Sequence, residues 1–176
     1  KERWSGPLLC YSGLALGVLS KGLVGAVFPL LIAGLYLWFS GDRIAISNMQ
    51  LKWGLALFLG LTLPWHFLAG WRNPGFFEIY VIDNQFLRFL SNRAYIEDDI
   101  PVGAVSFLVL TWIWFFPWSL FLLGTFKHGF PHANLSRTAS ERLRLLVGLW
   151  AVIVLGFFSL SSLTLEHYFL PAMPPL

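Results

Sequence analysis

WSGPLLCYSGLALGVLSKGLVGAVFPLLIAGLYLWF, running from Trp4 to Phe39, carries a single charged side chain, Lys21. Apolar arms of roughly 17 residues flank it on either side, each about 25 Å long as an α-helix, close to the thickness of a bilayer's hydrocarbon core. A charge at the centre of that core costs several kcal/mol, so Lys21 belongs at the turn between two helices, and Gly22 next to it permits a tight reversal. The same alternation recurs along the chain. All 9 Asp+Glu and all 12 Lys+Arg but Lys52, at the edge of the third run, fall between apolar runs at Trp4 to Ser20, Leu23 to Phe39, Leu51 to Gly70, Pro101 to Phe126 and Leu145 to Leu160, with another beginning near Tyr168. The pattern predicts an all-α polytopic transmembrane helix bundle of about five full spans plus the start of a sixth.

Composition leads to the same class. With 57% hydrophobic residues, 12% charged and a mean hydropathy of +0.68, the chain has more apolar surface than a soluble fold of this size can bury. Aromatics make up 18%, nine of them Trp, and indoles favour the headgroup level of a membrane. A net charge of +3 on such a chain points to membrane lipids and not to nucleic acid. The lone Cys10 excludes an intrachain disulfide. Residues 1–176, opening on Lys1 and closing on Pro174-Pro175-Leu176, read as part of one transmembrane domain, with further sequence expected on both sides.

Consecutive spans alternate direction, which sorts the polar segments into two sets. Residues 1–3, 40–52 and 127–144 hold eight basic residues and three acids; Lys21, residues 71–100 and residues 161–167 hold four basic residues and six acids. The Lys and Arg bias places the first set in the cytoplasm and the second on the outer face. Lys21, Arg88 and His167, far apart in sequence, are thereby expected at one membrane depth.

Several constellations on that face can carry chemistry. Lys21, held in its turn, is placed to grip a lipid phosphate, or else snorkels as a helix-end marker. The segment 71–100 is too long for a simple connector, and its aromatics argue against disorder. Within it Arg88 lies between Leu87 and Phe89 on an expected membrane-surface helix, where its fork could hold a phosphate bidentately. Glu97-Asp98-Asp99 reads as a solvated acidic loop. Ser161 to Pro171 gathers hydroxyls with Glu166, His167 and Tyr168, candidate substrate contacts or a helix cap with an aromatic belt. On the cytoplasmic side, His128 and His132 are spaced i, i+4, but Gly129 and Pro131 disfavour the helix a metal pair would need. Asn134-Leu135-Ser136 fits a glycosylation acceptor on the wrong side of the membrane. Inside the spans, Gly13 and Gly17 form a small-xxx-small pair suited to close helix packing. Pro29, Pro64 and Pro117 are expected to kink or end their helices.

Taken in order, Gly13 to Gly17 with Ser20-Lys21-Gly22, Pro64-Trp65, Asn73-Pro74-Gly75-Phe76-Phe77, Asn84 to Arg88-Phe89, Pro117-Trp118-Ser119 and His167-Tyr168-Phe169-Leu170-Pro171 with Pro174-Pro175 resemble the polyprenyl-phosphate-dependent glycosyltransferases of the GT-C fold. That family includes aminoarabinose transferases and protein O-mannosyltransferases. The resemblance implies transfer of a sugar from a polyprenyl-phosphate-linked donor to a lipid, glycan or protein acceptor, at the outer face of what is expected to be a bacterial cytoplasmic membrane. It implies that Lys21 and Arg88 contact the donor phosphate. It places the carboxylate that takes the acceptor's proton upstream of residue 1, so no catalytic residue is assigned here. No cofactor is required and no metal ligand is assigned, with a divalent metal left open. Two positions depart from the family pattern: Leu23 stands where Pro is frequent, and Thr164 where Lys is common.

The competing class is a polytopic transporter or lipid flippase. Transporters place charged or broken-helix sites near the bilayer midplane, often in paired repeats. Here the interiors of the spans are free of charge, Lys52 standing at the very start of the third, and the candidate polar groups gather at one face.

Overall fold

The computed structural model describes residues 4–41, 48–87, 102–117, 119–120, 138–161 and 164–174. Among them every regular element is helical and no strand occurs. The chain divides into two compact units, Lys1–Phe86 and Leu87–Leu176.

The first unit holds three long helices: α1 (Ser5–Lys21), α2 (Val24–Ser40) and α3 (Leu51–Arg72). Gly22, at φ +74°, ends α1 by donating its N–H to the Val18 carbonyl at 2.9 Å. Two residues later α2 begins, so the predicted hairpin forms where the sequence placed it. Close packing along it is only partly where the glycine pattern suggested. Gly17 meets Gly25 of α2 backbone to backbone, whereas nothing lies within 4 Å of where a Cβ on Gly13 would stand. α1 also packs along α3, where the buried ring of Tyr11 lies directly over Gly54. The Tyr11 hydroxyl donates to the Met49 carbonyl at 3.1 Å. Pro29 and Pro64 lie inside α2 and α3 and end neither.

α3 and α5 (Ala139–Leu160), at 22 residues each, are long and apolar enough to cross a membrane, with a length of about 33 Å. Their surfaces suit lipid: Trp53 is 68% exposed, Trp71 78% and Leu160 81%. A water-facing fold with such a surface would expose apolar patches far beyond the usual few hundred Å².

In the second unit, α4 (Ala104–Trp114) is followed by a turn over Phe115-Phe116-Pro117. Pro117 lacks an N–H and disfavours helical backbone at the residue before it, so the expected run from Pro101 is interrupted. The Phe116-Pro117 peptide bond is cis. α5 starts six residues ahead of the apolar run. Thr138 caps it, its hydroxyl accepting from the Glu141 N–H while the Glu141 carboxylate accepts from the Thr138 N–H at 2.8 Å. Where a sixth span was expected to begin, Glu166–Ala172 forms a 3₁₀ segment. Pro171 and Pro174 remove donors that an α-helix there would need. The segment is held to α5 by the Trp150 Nε1–H, which donates to the Pro171 carbonyl at 2.9 Å.

Candidate functional site

Lys21 occupies the last turn of α1 and is exposed. A cation there faces the unsatisfied carbonyls of the helix C-terminus, a favourable position for positive charge. Ser20 beside it donates its hydroxyl to the Gly17 carbonyl at 3.2 Å.

At the C-terminal end of α3, in the same unit, four aromatic side chains gather into a cluster. His66 Nδ1 lies 2.8 Å from the Thr62 carbonyl, which can only accept, so Nδ1 carries the proton. In the neutral ring Nε2 is then an acceptor, and it takes the Tyr80 O–H at 3.1 Å. Trp65 stands edge-to-face with His66, Phe76 and Tyr80, and Phe76 stacks on Tyr80 with centroids 5.0 Å apart. Burial in this cluster raises the Tyr80 phenol above its ordinary value.

The chain reaches that cluster through Asn73-Pro74-Gly75. Asn73 closes α3 with its side-chain N–H on the Ala69 carbonyl at 2.9 Å. Gly75, at φ +83°, makes the turn that a side-chain-bearing residue would resist. The ring of Phe77 then lies directly over Gly70. Glu78–Leu87 follows as a helix wound in the wider π form, a geometry that is rare, while the surface helix expected to carry Arg88 lies outside the described residues. The signal in the sequence is the spacing of Trp65, His66, Phe76 and Tyr80 around a turn; the pairing itself is decided by the tertiary fold.

The second unit carries His167 and Tyr168. Their rings meet edge-to-face at 5.1 Å, and Tyr168 packs on Phe158 of α5 at 4.9 Å. His167 is exposed and Tyr168 half-buried. Thr164, the position where the family pattern has a lysine, is 1% exposed. Its hydroxyl donates to the Phe158 and Ser161 carbonyls at the end of α5, and its carbonyl accepts from Val102, which leads into α4, at 2.8 Å. It is a helix cap and a tie between two segments.

Arg88, the acidic run at 97–99, His128, His132 and Asn134 lie outside the described residues, as does the side chain of Glu166. Lys21 belongs to the first unit, and His167 and Tyr168 to the second. Among the described residues, no three His, Cys, Asp or Glu side chains gather as a metal site would require.

No protein-family model matches the chain. It is 26% identical, over 96% of its length, to the undecaprenyl phosphate-alpha-4-amino-4-deoxy-L-arabinose arabinosyl transferase 2 of Pseudomonas fluorescens, and covers 28% of that protein. An uncharacterized protein of Aquifex aeolicus is 30% identical over 96% of the chain, which covers 35% of it. The crystal structure of ArnT from Cupriavidus metallidurans bound to undecaprenyl phosphate superposes with a TM-score of 0.78 at 27% identity, over 96% of this chain and 29% of that one. The chain thus spans about a third of the length of the relatives it matches. In sequence and in fold, over nearly all of its own length, it is similar to the undecaprenyl-phosphate aminoarabinose transferases.

Proposed function

We propose that this chain is part of a membrane glycosyltransferase that takes a sugar from a polyprenyl-phosphate donor and passes it to an acceptor, lipid, glycan or protein, at the extracytoplasmic face. The observation that carries the reading is the shared fold, at 27% identity across 96% of the chain, with an ArnT structure bound to undecaprenyl phosphate. Among the described residues, Lys21 is well suited to the donor: exposed, cationic and fixed at the tip of a helical hairpin.

In the reaction, the bond between the sugar's anomeric carbon and the phosphate oxygen breaks, and a bond to the acceptor's nucleophilic atom forms. The acceptor's proton passes to a base, and no carboxylate of this chain is assigned that part. Charge accumulates on the departing lipid phosphate, and Lys21 with Arg88 would stabilise it there. Such preorganised cations act most strongly on charge that develops in the transition state. Phosphate leaves readily as an anion, so that end needs no general acid, and the step calls for no cofactor. Glu166, His167 and Tyr168 are proposed as substrate contacts on the same outer face, within a bundle of about five spans and the start of a sixth. A transporter reading gains no support from relatives that are transferases by name.

The test supplies purified protein with a labelled polyprenyl-phosphate sugar and scores label on the acceptor. Transfer by the wild type, with a loss of about tenfold or more in Lys21→Ala and in Arg88→Ala, is expected from removing one charge-assisted phosphate contact each. Undiminished transfer by both variants would overturn the assignment of the phosphate site.

A further inference from the structure

Gly17 and Gly25 stand four residues before and four residues after Lys21, and across the hairpin they touch. A Cβ added at Gly17 would come within 2.8 Å of the Gly25 carbonyl oxygen, and one added at Gly25 would come closer still to the Gly17 oxygen. Both are contacts with backbone, which cannot swing aside as a side chain would. Four backbone hydrogen bonds tie the turn between them: Gly22 donates to Val18 at 2.9 Å, Gly25 to Gly22 at 2.9 Å, and Ala26 and Val27 to Leu23 at 3.0 Å. Val18, Gly22 and Ala26 are buried along the inner face, while Lys21 faces outward.

From this arrangement we infer that Gly17 and Gly25 are positioning residues for Lys21. Their backbone contact sets the separation of α1 and α2 at the point from which the lysine is presented to a phosphate. This inference rests on the proposed role of Lys21 as a donor-phosphate contact. A lysine stem is flexible, but its root is not: if the helices are forced apart, Gly22 and the last turn of α1 must move with them. The ammonium then has to reach its partner from a different origin, at a cost in the geometry that makes preorganised charge effective. Gly13 is the internal control, one turn earlier on the same helix, with nothing within 4 Å of an added Cβ.

The experiment measures binding of undecaprenyl phosphate to purified protein in detergent, by isothermal titration, for Gly13→Ala, Gly17→Ala, Gly25→Ala and Lys21→Ala, and for each glycine variant combined with Lys21→Ala. Affinity should be unchanged in Gly13→Ala, fall about threefold in Gly17→Ala, and fall about tenfold in Gly25→Ala and in Lys21→Ala. In the Lys21→Ala background the glycine substitutions should cost almost nothing further, because a residue that acts through another loses its effect when that other is gone. Additive losses in the double variants would mean a general structural role and overturn the inference, as would wild-type affinity in both Gly17→Ala and Gly25→Ala. Wild-type affinity in Lys21→Ala would instead overturn the reading of Lys21 on which it rests. Should Gly25→Ala fail to fold, the milder Gly17→Ala and its double variant decide the matter alone.

Discussion

Nε2 of His66 accepts the hydroxyl proton of Tyr80 across 3.1 Å, joining residues 14 apart in sequence, while Nδ1 of the same ring is held by the Thr62 carbonyl at 2.8 Å. The imidazole is thereby fixed in tautomer and in orientation, and the π-helical segment Glu78–Leu87 is fastened to the end of α3. Tyr80→Phe keeps the ring stacking on Phe76 and deletes only the hydroxyl. It should lower stability by about 1 kcal/mol, the usual net worth of one hydrogen bond. Thermal unfolding of the detergent-purified protein checks this, and an unchanged midpoint would show that the bond contributes nothing.

The raised phenol gives a pH signature with a definite sign. Because burial holds the folded Tyr80 proton more tightly than the ordinary value of 10.0, the folded and unfolded chains are both neutral at this position below about pH 9, and stability is flat there. Above about pH 10 the unfolded phenol ionises first, so stability falls as pH rises until the folded phenol ionises too. Unfolding midpoints taken from about pH 8 to pH 11.5 should show this loss in the wild type and a smaller one in Tyr80→Phe. Identical alkaline limbs would assign the loss to other groups.

Gly54 and Gly60 lie on the same helix and should respond differently to alanine. At Gly54 a Cβ would enter the ring of Tyr11, while at Gly60 nothing stands within 4 Å. Gly54→Ala should therefore destabilise by about 1 to 3 kcal/mol through overpacking. Gly60→Ala should be neutral, or stabilise by up to about 1 kcal/mol as backbone freedom is lost from the unfolded chain. The pair of midpoints is the check; matched destabilisation would mean that the α1–α3 contact is not what Gly54 serves.

Thr164 offers a test by shape. Thr164→Val preserves volume and removes the hydroxyl that serves the Phe158 and Ser161 carbonyls, and should cost about 1 to 3 kcal/mol for buried polar groups left without a partner. Thr164→Ser keeps the hydroxyl and should cost less than the valine variant. If valine proves the better tolerated, packing and not capping is the role of this position.

Much of the fold was legible in residue order because a bilayer imposes a simple rule. The runs read as Trp4 to Ser20, Leu23 to Phe39 and Leu51 to Gly70 became helices Ser5–Lys21, Val24–Ser40 and Leu51–Arg72, displaced by no more than two residues at any end. Lys21 and Gly22 marked the first reversal because a charge and a helix-ending glycine have no better place than the end of a span. The interruption at Pro117 follows equally from the missing N–H. At the start of α5, hydropathy alone misplaced the boundary, since the first turn is held by the Thr138–Glu141 cap and not by burial.

What residue order determined, then, was which segments are helical and where most of them end, because hydropathy, glycine and proline act on the chain locally. Which surfaces meet was decided only in three dimensions. Gly17 found Gly25 and not a partner for Gly13, Tyr11 found Gly54, His66 found Tyr80, and Thr164 became a cap where the family pattern has a cation. The Thr164 cap depends on the path of the turn after α5; the other contacts depend on how one helix is rotated about its axis relative to its neighbour. That angle is set by the close fit of all the contacts together and is written in no single stretch of the sequence.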